Sequence, residues 1–197
     1  MKKTLIILAV IVALLSGFVM STLNGLVSMD ETCKATWSQV LNQYQRRAEL
    51  VPNLVATVKG YAAHEQDTLM QVVEARAQAT QTTLSPEMLS DDTAMKNFMQ
   101  NQGALSSALS RLMVVVEKYP ELKANENFMA LQSQLEGTEN RIAVARKDYI
   151  DAVKVFNTRI RTIPTKWVVA LFSDMEKKAT FDIEESQKAV PVVDFSK

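Results

Sequence analysis

The sequence contains little of what catalytic and metal-binding sites need. A single cysteine, Cys33, excludes a disulfide bond within the chain. A single histidine, His64, excludes both the zinc-protease motif, since Thr68 stands where the second histidine would be, and a di-iron site built from two Glu-x-x-His pairs. The five glycines are scattered at positions 17, 25, 60, 103 and 137, so no glycine-rich loop is available to hold phosphate. We therefore expect no enzyme activity, no metal site and no cofactor.

The chain also lacks an excess of either charge. It carries 22 lysines and arginines against 22 aspartates and glutamates. Without Lys2 and Lys3, which precede a long uncharged run, 20 basic and 22 acidic residues remain, a net charge of −2. Nucleic-acid-binding domains concentrate positive charge, so we expect no nucleic acid partner. Apolar residues make up 47% of the chain, which indicates a folded protein with a sizeable core.

The uncharged run at the N-terminus indicates a membrane anchor. No charged residue occurs between Lys3 and Asp30. About 20 apolar residues cross a bilayer as a helix, so Thr4 to about Leu23 suffices. We predict an uncleaved anchor that contacts the bilayer through residues 4–27. The lysines before the run and the acidic residues after it predict a single-pass protein of the cell (inner) membrane, with a cytoplasmic N-terminus and an extracytoplasmic remainder.

Two other interpretations of this run stay open. A cleaved secretory signal also has a basic start and an apolar middle, and Val19 and Ser21 would make a mediocre cleavage site. The segment 14–17 looks like the start of a lipoprotein signal, but Phe18 stands where the lipidated cysteine would be.

The longest regular pattern extends from Trp37 to Ala79. Its positions alternate steps of four and three residues, as on one face of a long helix. They are Trp37, Leu41, Tyr44, Ala48, Val51, Val55, Val58, Ala62, Glu65, Leu69, Val72, Arg76 and Ala79. Pro52 lacks the N–H that would bond to the carbonyl of Ala48. Because the pattern keeps its phase across Pro52, we predict one kinked helix rather than two separate helices.

The same spacing predicts two further helices. One runs from about Thr93 to Lys118 and stops before Pro120; the other begins near Glu126 and stops before Pro164. Three long amphipathic segments with short polar connectors predict an all-α fold, an N-terminal transmembrane helix followed by an antiparallel bundle of long helices.

The C-terminal part is less regular. The apolar segment from Trp167 to Met175 is too short to span a bilayer. We expect it to close the end of the bundle as a short helix, and docking on a membrane or a partner is the alternative. Pro191 argues against a helix in the last residues. The predicted divisions are an anchor at 1–29, a helical bundle at 30–178 and an extended tail at 179–197.

Three blocks of the sequence, in order, resemble the LemA family. The first lies within residues 37–65 and includes Tyr44-Gln45-Arg46-Arg47-Ala48-Glu49-Leu50-Val51-Pro52-Asn53-Leu54-Val55; the second is the segment 135–146; the third is Pro191-Val192-Val193-Asp194-Phe195. The first two are highly specific. The resemblance implies a single N-terminal anchor and an extracytoplasmic helical bundle in a bacterial-type envelope, and it carries over no enzymatic activity. The sequence departs from the residues common in this family at Ile150, Phe156, Ile163 and the segment 174–176.

Several polar residues lie where apolar side chains would pack best in a bundle. They are Glu65, Arg76, Gln102, Thr138 and Arg159. We expect them to pair across the bundle and fix the register of the helices; the alternative is that they line a surface between subunits. A second group surrounds the predicted kink: Arg46, Arg47, Glu49, Pro52 and Asn53. The first three are expected to bond to backbone carbonyls freed by the proline.

These features together predict a non-enzymatic envelope protein that acts by self-association or as an interaction scaffold. The first helical pattern is longer than the second helix, so part of it should lack a neighbour within the chain, which favours a homo-oligomer. Val190, Val192 and Phe195 of the tail would fill such a groove in the same chain or in a neighbouring subunit. An unidentified envelope protein is the other expected partner. The alternative function is an extracytoplasmic sensory or ligand-binding bundle that signals through a partner.

Overall fold

The computed structural model describes residues 2–82 and 85–181, and within them the regular structure is entirely helical. The helices are α1 (Lys2–Lys59), α2 (Gln66–Gln81), a short 3₁₀ helix (Pro86–Ser90), α3 (Asp92–Val116), α4 (Pro120–Lys123), α5 (Glu126–Arg161) and α6 (Thr165–Phe172). No strand occurs in these residues. The predicted all-α fold is confirmed.

The first helix joins the apolar N-terminal run to the bundle without a break. It has 58 residues, or ~87 Å at 1.5 Å per residue. The large apolar side chains from Leu5 to Met20 are exposed, except for the half-buried Val19, and the first buried side chain is Thr22. The helix also continues through Pro52 to Lys59, so the prediction that the chain stays helical across the proline is confirmed. It is the one described helix that is long and apolar enough to cross a membrane.

The prediction of a single helix from Trp37 to Ala79 is wrong. The helix ends at Lys59, and the chain reverses through residues 60–65 before α2 begins. Gly60 is a poor helix former, and the N–H groups of Tyr61 and Ala62 both turn back to the carbonyl of Val58. The apolar pattern stays in phase because α2 returns along α1 and buries its own face in the same core. The spacing alone therefore did not reveal the reversal.

Four helices form the bundle: α1 pairs with α5 and α2, and α2 pairs with α3. Two polar side chains set helix starts. The Asp91 carboxylate accepts hydrogen bonds from the N–H groups of Thr93 and Ala94, and the Asn125 side chain accepts one from Phe128. Such caps each stabilise a helix by about 1 kcal/mol. The observed starts at Asp92 and Glu126 agree with those expected from the sequence.

An aromatic cluster fills the half of the bundle nearer the N-terminal run. The ring of Trp37 packs against Phe98 and Tyr149 at centroid distances of 5.4 and 5.0 Å. Phe181 completes the cluster, 5.9 Å from Trp37. Burial of each large apolar side chain contributes roughly 1.5–3 kcal/mol before chain entropy is subtracted.

The residues after α6 run back along the bundle as an extended segment. The Asn157 side chain bonds to the backbone N–H and the carbonyl of Lys178. The hydroxyl of Tyr149 donates to the carbonyl of Ala179, whose N–H donates to the carbonyl of Leu89. The predicted extended tail is therefore docked where it begins, up to Phe181. The tail residues Val190, Val192 and Phe195 lie outside the described part of the chain.

Candidate functional site

A buried arginine connects the four long helices at the middle of the bundle. The Arg47 side chain, on α1, is almost fully buried. Its Nη1 donates to Ser106 Oγ at 2.8 Å and to Glu139 Oε1 at 2.9 Å, and its Nη2 donates to Gln102 Oε1 at 2.6 Å. The amide of Gln102 in turn donates to the carbonyl of Ala79 on α2. One guanidinium thus fixes the relative positions of α1, α3 and α5, and Gln102 extends the network to α2.

The position of Arg47 follows from the helical spacing of α1. Tyr44, Arg47 and Val51 are three and four residues apart, so all three face the core. The guanidinium also lies 5.0 Å from the centre of the Tyr44 ring, a distance suited to a cation–π contact. Arg47 Nε has no hydrogen-bond partner within the described residues. Since a buried charge is costly unless it is paired, the contact with Glu139, whose side chain is 43% exposed, offsets part of the cost of burying Arg47.

A second arginine compensates for Pro52. The Nε–H of Arg76, on α2, donates to the carbonyl oxygen of Ala48 at 2.7 Å. This is the carbonyl that would accept the N–H of residue 52 if that residue were not proline. The sequence predicted such a contact but assigned it to Arg46, Arg47 and Glu49. The donor in the structure comes from another helix instead, because the chain reverses after Gly60.

The remaining predicted residues do not gather at one site. Their side chains divide into two groups. Exposed to solvent are Arg46, Glu49, Pro52, Asn53 and Arg159. Partly buried is Glu65, whose carboxylate accepts a hydrogen bond from the hydroxyl of Tyr119 at 3.3 Å. The expectation that Arg159 occupies a packed position is wrong: Phe156 and Ile160 face the core, and Arg159 points away from it.

Sequence reasoning placed Thr138 in the core but missed its role. Thr138 is fully buried, yet its hydroxyl bonds within its own helix, to the carbonyl of Gln134. The bond across the bundle comes from the next residue, Glu139, which the sequence did not single out. Ser106 was missed as well. Helical spacing could have placed Arg47 in the core, but no local pattern in the sequence shows that Glu139 and Ser106 reach it.

Two grooves flank this network. One, with a volume of about 440 Å³, lies between α1, α2 and α3, and its lining includes Tyr44, Glu49, Arg76 and Gln102. The other, about 420 Å³, lies between α1 and α5 on a different face, and its lining includes Asn42, Gln43, Asn140, Arg141 and Val144. Among residues 2–82 and 85–181, no three His, Cys, Asp or Glu side chains cluster as metal ligands would.

An ion-pair group holds the returning C-terminal segment against α1. The carboxylate of Asp30 contacts Lys178 Nζ at 2.8 Å and Lys34 Nζ at 2.9 Å. Burial by itself would raise the pKa of Asp30, but the hydrogen bonds and charges of the two lysines lower this pKa below its ordinary value. Beside this group, burial raises the pKa of the Cys33 thiol to about 11.

Comparison with known proteins gives consistent matches over most of the chain. Residues 36–195 match the model of the LemA family. The chain is 26% identical over 186 residues to Magnetosome protein MamQ 2 of Paramagnetospirillum magneticum, covering 86% of this chain and 68% of that protein. It is 29% identical over 181 residues to Magnetosome protein MamQ of Magnetospirillum gryphiswaldense, covering 82% of this chain and 65% of that protein. The matched residues include Arg47, Arg76 and Glu139 and begin within α1. On this basis the chain is a membrane-associated helical protein that belongs to the LemA family.

Proposed function

We propose that this protein is a single-pass, non-enzymatic scaffold of the cell envelope, anchored by the first part of α1, with its bundle on the extracytoplasmic side. The observation that carries the proposal is the change of exposure along one unbroken helix. The apolar side chains of α1 are exposed as far as Met20, and the bundle begins to bury the same helix at Thr22. A bilayer is the solvent in which such a segment is stable.

The internal network supports a mechanical rather than a catalytic role. Arg47 is surrounded by Ser106, Gln102 and Glu139, and Arg76 holds the backbone beside Pro52. These contacts fix the register of the helices and leave the two arginines occupied with the protein itself. A bundle fixed in this way can present a constant outer surface to other proteins.

Self-association is the interaction we propose for this scaffold. The supporting surface is the groove between α1 and α5, beside which Val144 and Val155 are 60% and 56% exposed on one face of α5. These two residues are 11 positions apart, which returns to the same side of a helix. Confinement to a membrane raises the local concentration, so contacts of modest strength can suffice.

Sedimentation and cross-linking test this proposal. Full-length protein in mild detergent should sediment as more than one chain, and a single-chain mass over a wide concentration range would contradict self-association. Val144→Cys should form an intermolecular disulfide under mild oxidation, because the groove would bring two copies together. Val114→Cys, on α3 and 67% exposed, is the matched control and should cross-link much less.

The groove between α1, α2 and α3 favours a second candidate function. Its lining combines the rings of Tyr44 and Phe98 with the polar groups of Arg76 and Gln102, a mixture typical of small-molecule sites. In this alternative the bundle is an extracytoplasmic sensor or ligand-binding module that signals through a partner. Native mass spectrometry of gently purified protein distinguishes the two functions: a bound small molecule that is lost on Thr80→Trp, which places a large ring at an exposed position of the groove lining, would favour the sensor.

A further inference from the structure

The short helix α6 exposes an apolar face to its surroundings. Trp167, Leu171 and Phe172 are 60%, 74% and 59% exposed, although all three are large apolar side chains. The opposite face, with Thr165 and Val168, is buried against the bundle. Among residues 2–82 and 85–181, the helix thus has partners on one side and none on the other. Immediately before it, Ile163 adds a further exposed apolar side chain.

The register between α1 and α5 places α6 beside the end of the apolar run. Arg47 of α1 contacts Glu139 of α5. Trp37, ten residues before Arg47, contacts Tyr149, ten residues after Glu139. The two helices are therefore antiparallel with a constant offset. Thr22 lies fifteen residues before Trp37, and Pro164 lies fifteen residues after Tyr149. The same offset therefore places Thr22 and Pro164 at the same level of the bundle. Because α6 begins at the next residue and contacts α1, it lies where the exposed apolar part of α1 ends.

The charges of the last turns of α5 and of α6 itself are all of one sign. Between residues 152 and 173 the chain has four basic residues, Lys154, Arg159, Arg161 and Lys166, and no acidic one. All four are exposed. By the same offset, the facing part of α1 is residues 13–34, which is uncharged up to Met29 and then carries Asp30, Glu31 and Lys34; Asp174 follows α6. This end of the bundle therefore combines exposed apolar side chains with more basic than acidic residues.

We propose that α6 lies in the headgroup region of the bilayer leaflet next to the bundle and binds anionic phospholipid there. The proposal rests on the proposed anchoring by α1, since that anchoring fixes the level of the bilayer. Tryptophan prefers the interface between headgroups and acyl chains, and amphipathic helices lie in this plane with basic residues among the lipid phosphates. The apolar face of α6 lies at the level where the exposed apolar part of α1 ends, so a single bilayer can cover both.

This contact would fix the orientation of the whole bundle relative to the membrane. A single helical anchor leaves a protein free to tilt and rotate about it. A second attachment through α6, held to α1 and α5, removes much of this freedom. The basic end then favours a membrane that contains anionic lipid, because the lysine and arginine side chains are attracted to its negatively charged surface.

The two tryptophans of the chain allow a direct test with the full-length protein in lipid nanodiscs. Trp37 is buried and lies 15 residues beyond Thr22 on α1, or ~22 Å from the end of the apolar run at 1.5 Å per residue. It is too far from the bilayer for short-range quenching. Discs of phosphatidylcholine and phosphatidylglycerol brominated at shallow acyl positions should therefore quench the Trp167 emission alone. In Trp167→Phe, the remaining Trp37 emission should not respond to bromination.

Two readouts separate failure of this proposal from failure of the anchor. If α1 does not insert, the protein will not co-purify with the discs at all. If the protein co-purifies but Trp167 is quenched by iodide and not by brominated lipid, α6 is exposed to water and the proposal is overturned. Protection of Trp167 from both quenchers would mean that a protein surface, such as a second copy of the chain, covers α6, and this too would overturn it.

The lipid selectivity has its own matched pair of variants. Lys166→Glu should reduce lipid quenching of Trp167 in discs that contain phosphatidylglycerol, and change it little in discs of phosphatidylcholine alone. Lys118→Glu makes the same charge change at an exposed residue at the other end of the bundle, and should leave the quenching as in the unaltered protein. Equal effects of the two variants would contradict a specific contact between α6 and anionic lipid.

Discussion

Arg76 Nε lies 2.7 Å from the carbonyl oxygen of Ala48, and this hydrogen bond replaces the one that Pro52 cannot make. The residues are 28 positions apart in the sequence and on different helices. A proline in a helix interior normally leaves a carbonyl to water or distorts the helix. In this bundle the returning helix α2 supplies the missing donor. The proline therefore creates an attachment point for α2, which explains how α1 stays helical through it.

This relationship predicts a coupling between Arg76 and Pro52. Arg76→Ala should destabilise the protein by about 1–3 kcal/mol, because the Ala48 carbonyl loses its donor. In a Pro52→Ala background, residue 52 regains an N–H that bonds to the same carbonyl, so Arg76→Ala should cost clearly less. Urea unfolding of the four variants of the full chain in detergent measures the coupling. Equal costs of Arg76→Ala in both backgrounds would contradict it.

The buried network predicts a strong difference between two neighbouring arginines. Arg47→Ala should destabilise the bundle by about 2–4 kcal/mol, since it leaves a cavity and deprives the buried Gln102 oxygen of its donor, whereas Glu139 is 43% exposed and can be hydrated. Arg46→Ala is the control: Arg46 is exposed, so the change should stay within about 0.5 kcal/mol. Thermal unfolding followed by circular dichroism compares the two variants. Similar losses for both would show that the network contributes little.

The Asp30 group predicts a pH-dependent attachment of the C-terminal segment. Its pKa is lowered in the folded protein, so its contribution is fully present above the unfolded value, about 3.9, and is lost as the pH falls through the folded pKa. Asp30→Asn should therefore cost about 1 kcal/mol near neutral pH, and the difference from the unaltered protein should shrink as the pH is lowered below 4. A difference that persists unchanged in acid would contradict the ion-pair assignment.

The single cysteine is expected to be unreactive, so the labelling of an added cysteine can report the topology. Cys33 is fully buried, and burial raises the pKa of its thiol to about 11, so the folded protein should not react with a maleimide at neutral pH. Ser107→Cys, at an exposed position on α3, should react with a membrane-impermeant maleimide in intact cells if the bundle is extracytoplasmic. Labelling of this variant only after lysis would contradict the proposed orientation.

Local sequence spacing was sufficient for most helices but not for their connection. The steps of three and four residues in α3 and α5, and the prolines that follow them, placed both helices closely. From the same spacing we predicted α1 and α2 as one helix. Two antiparallel helices that bury their faces in one core can continue the same steps of three and four residues across their connection. The argument for a homo-oligomer from an uncovered long helix loses its basis with this correction. Self-association now depends on the surface between α1 and α5.

The sequence by itself determined the helical class, the apolar N-terminal run and the buried faces, because these depend on residue type and helical period, which are local properties. The tertiary structure alone decided which polar groups meet. Arg76 reaches Ala48 only because the chain reverses at residues 60–65, and Arg47 reaches Glu139 only because α5 lies antiparallel to α1. It also placed α6 against α1. Such contacts join residues far apart in the chain, and a hydrogen bond between two of them depends on angles and offsets between helices that no local pattern encodes.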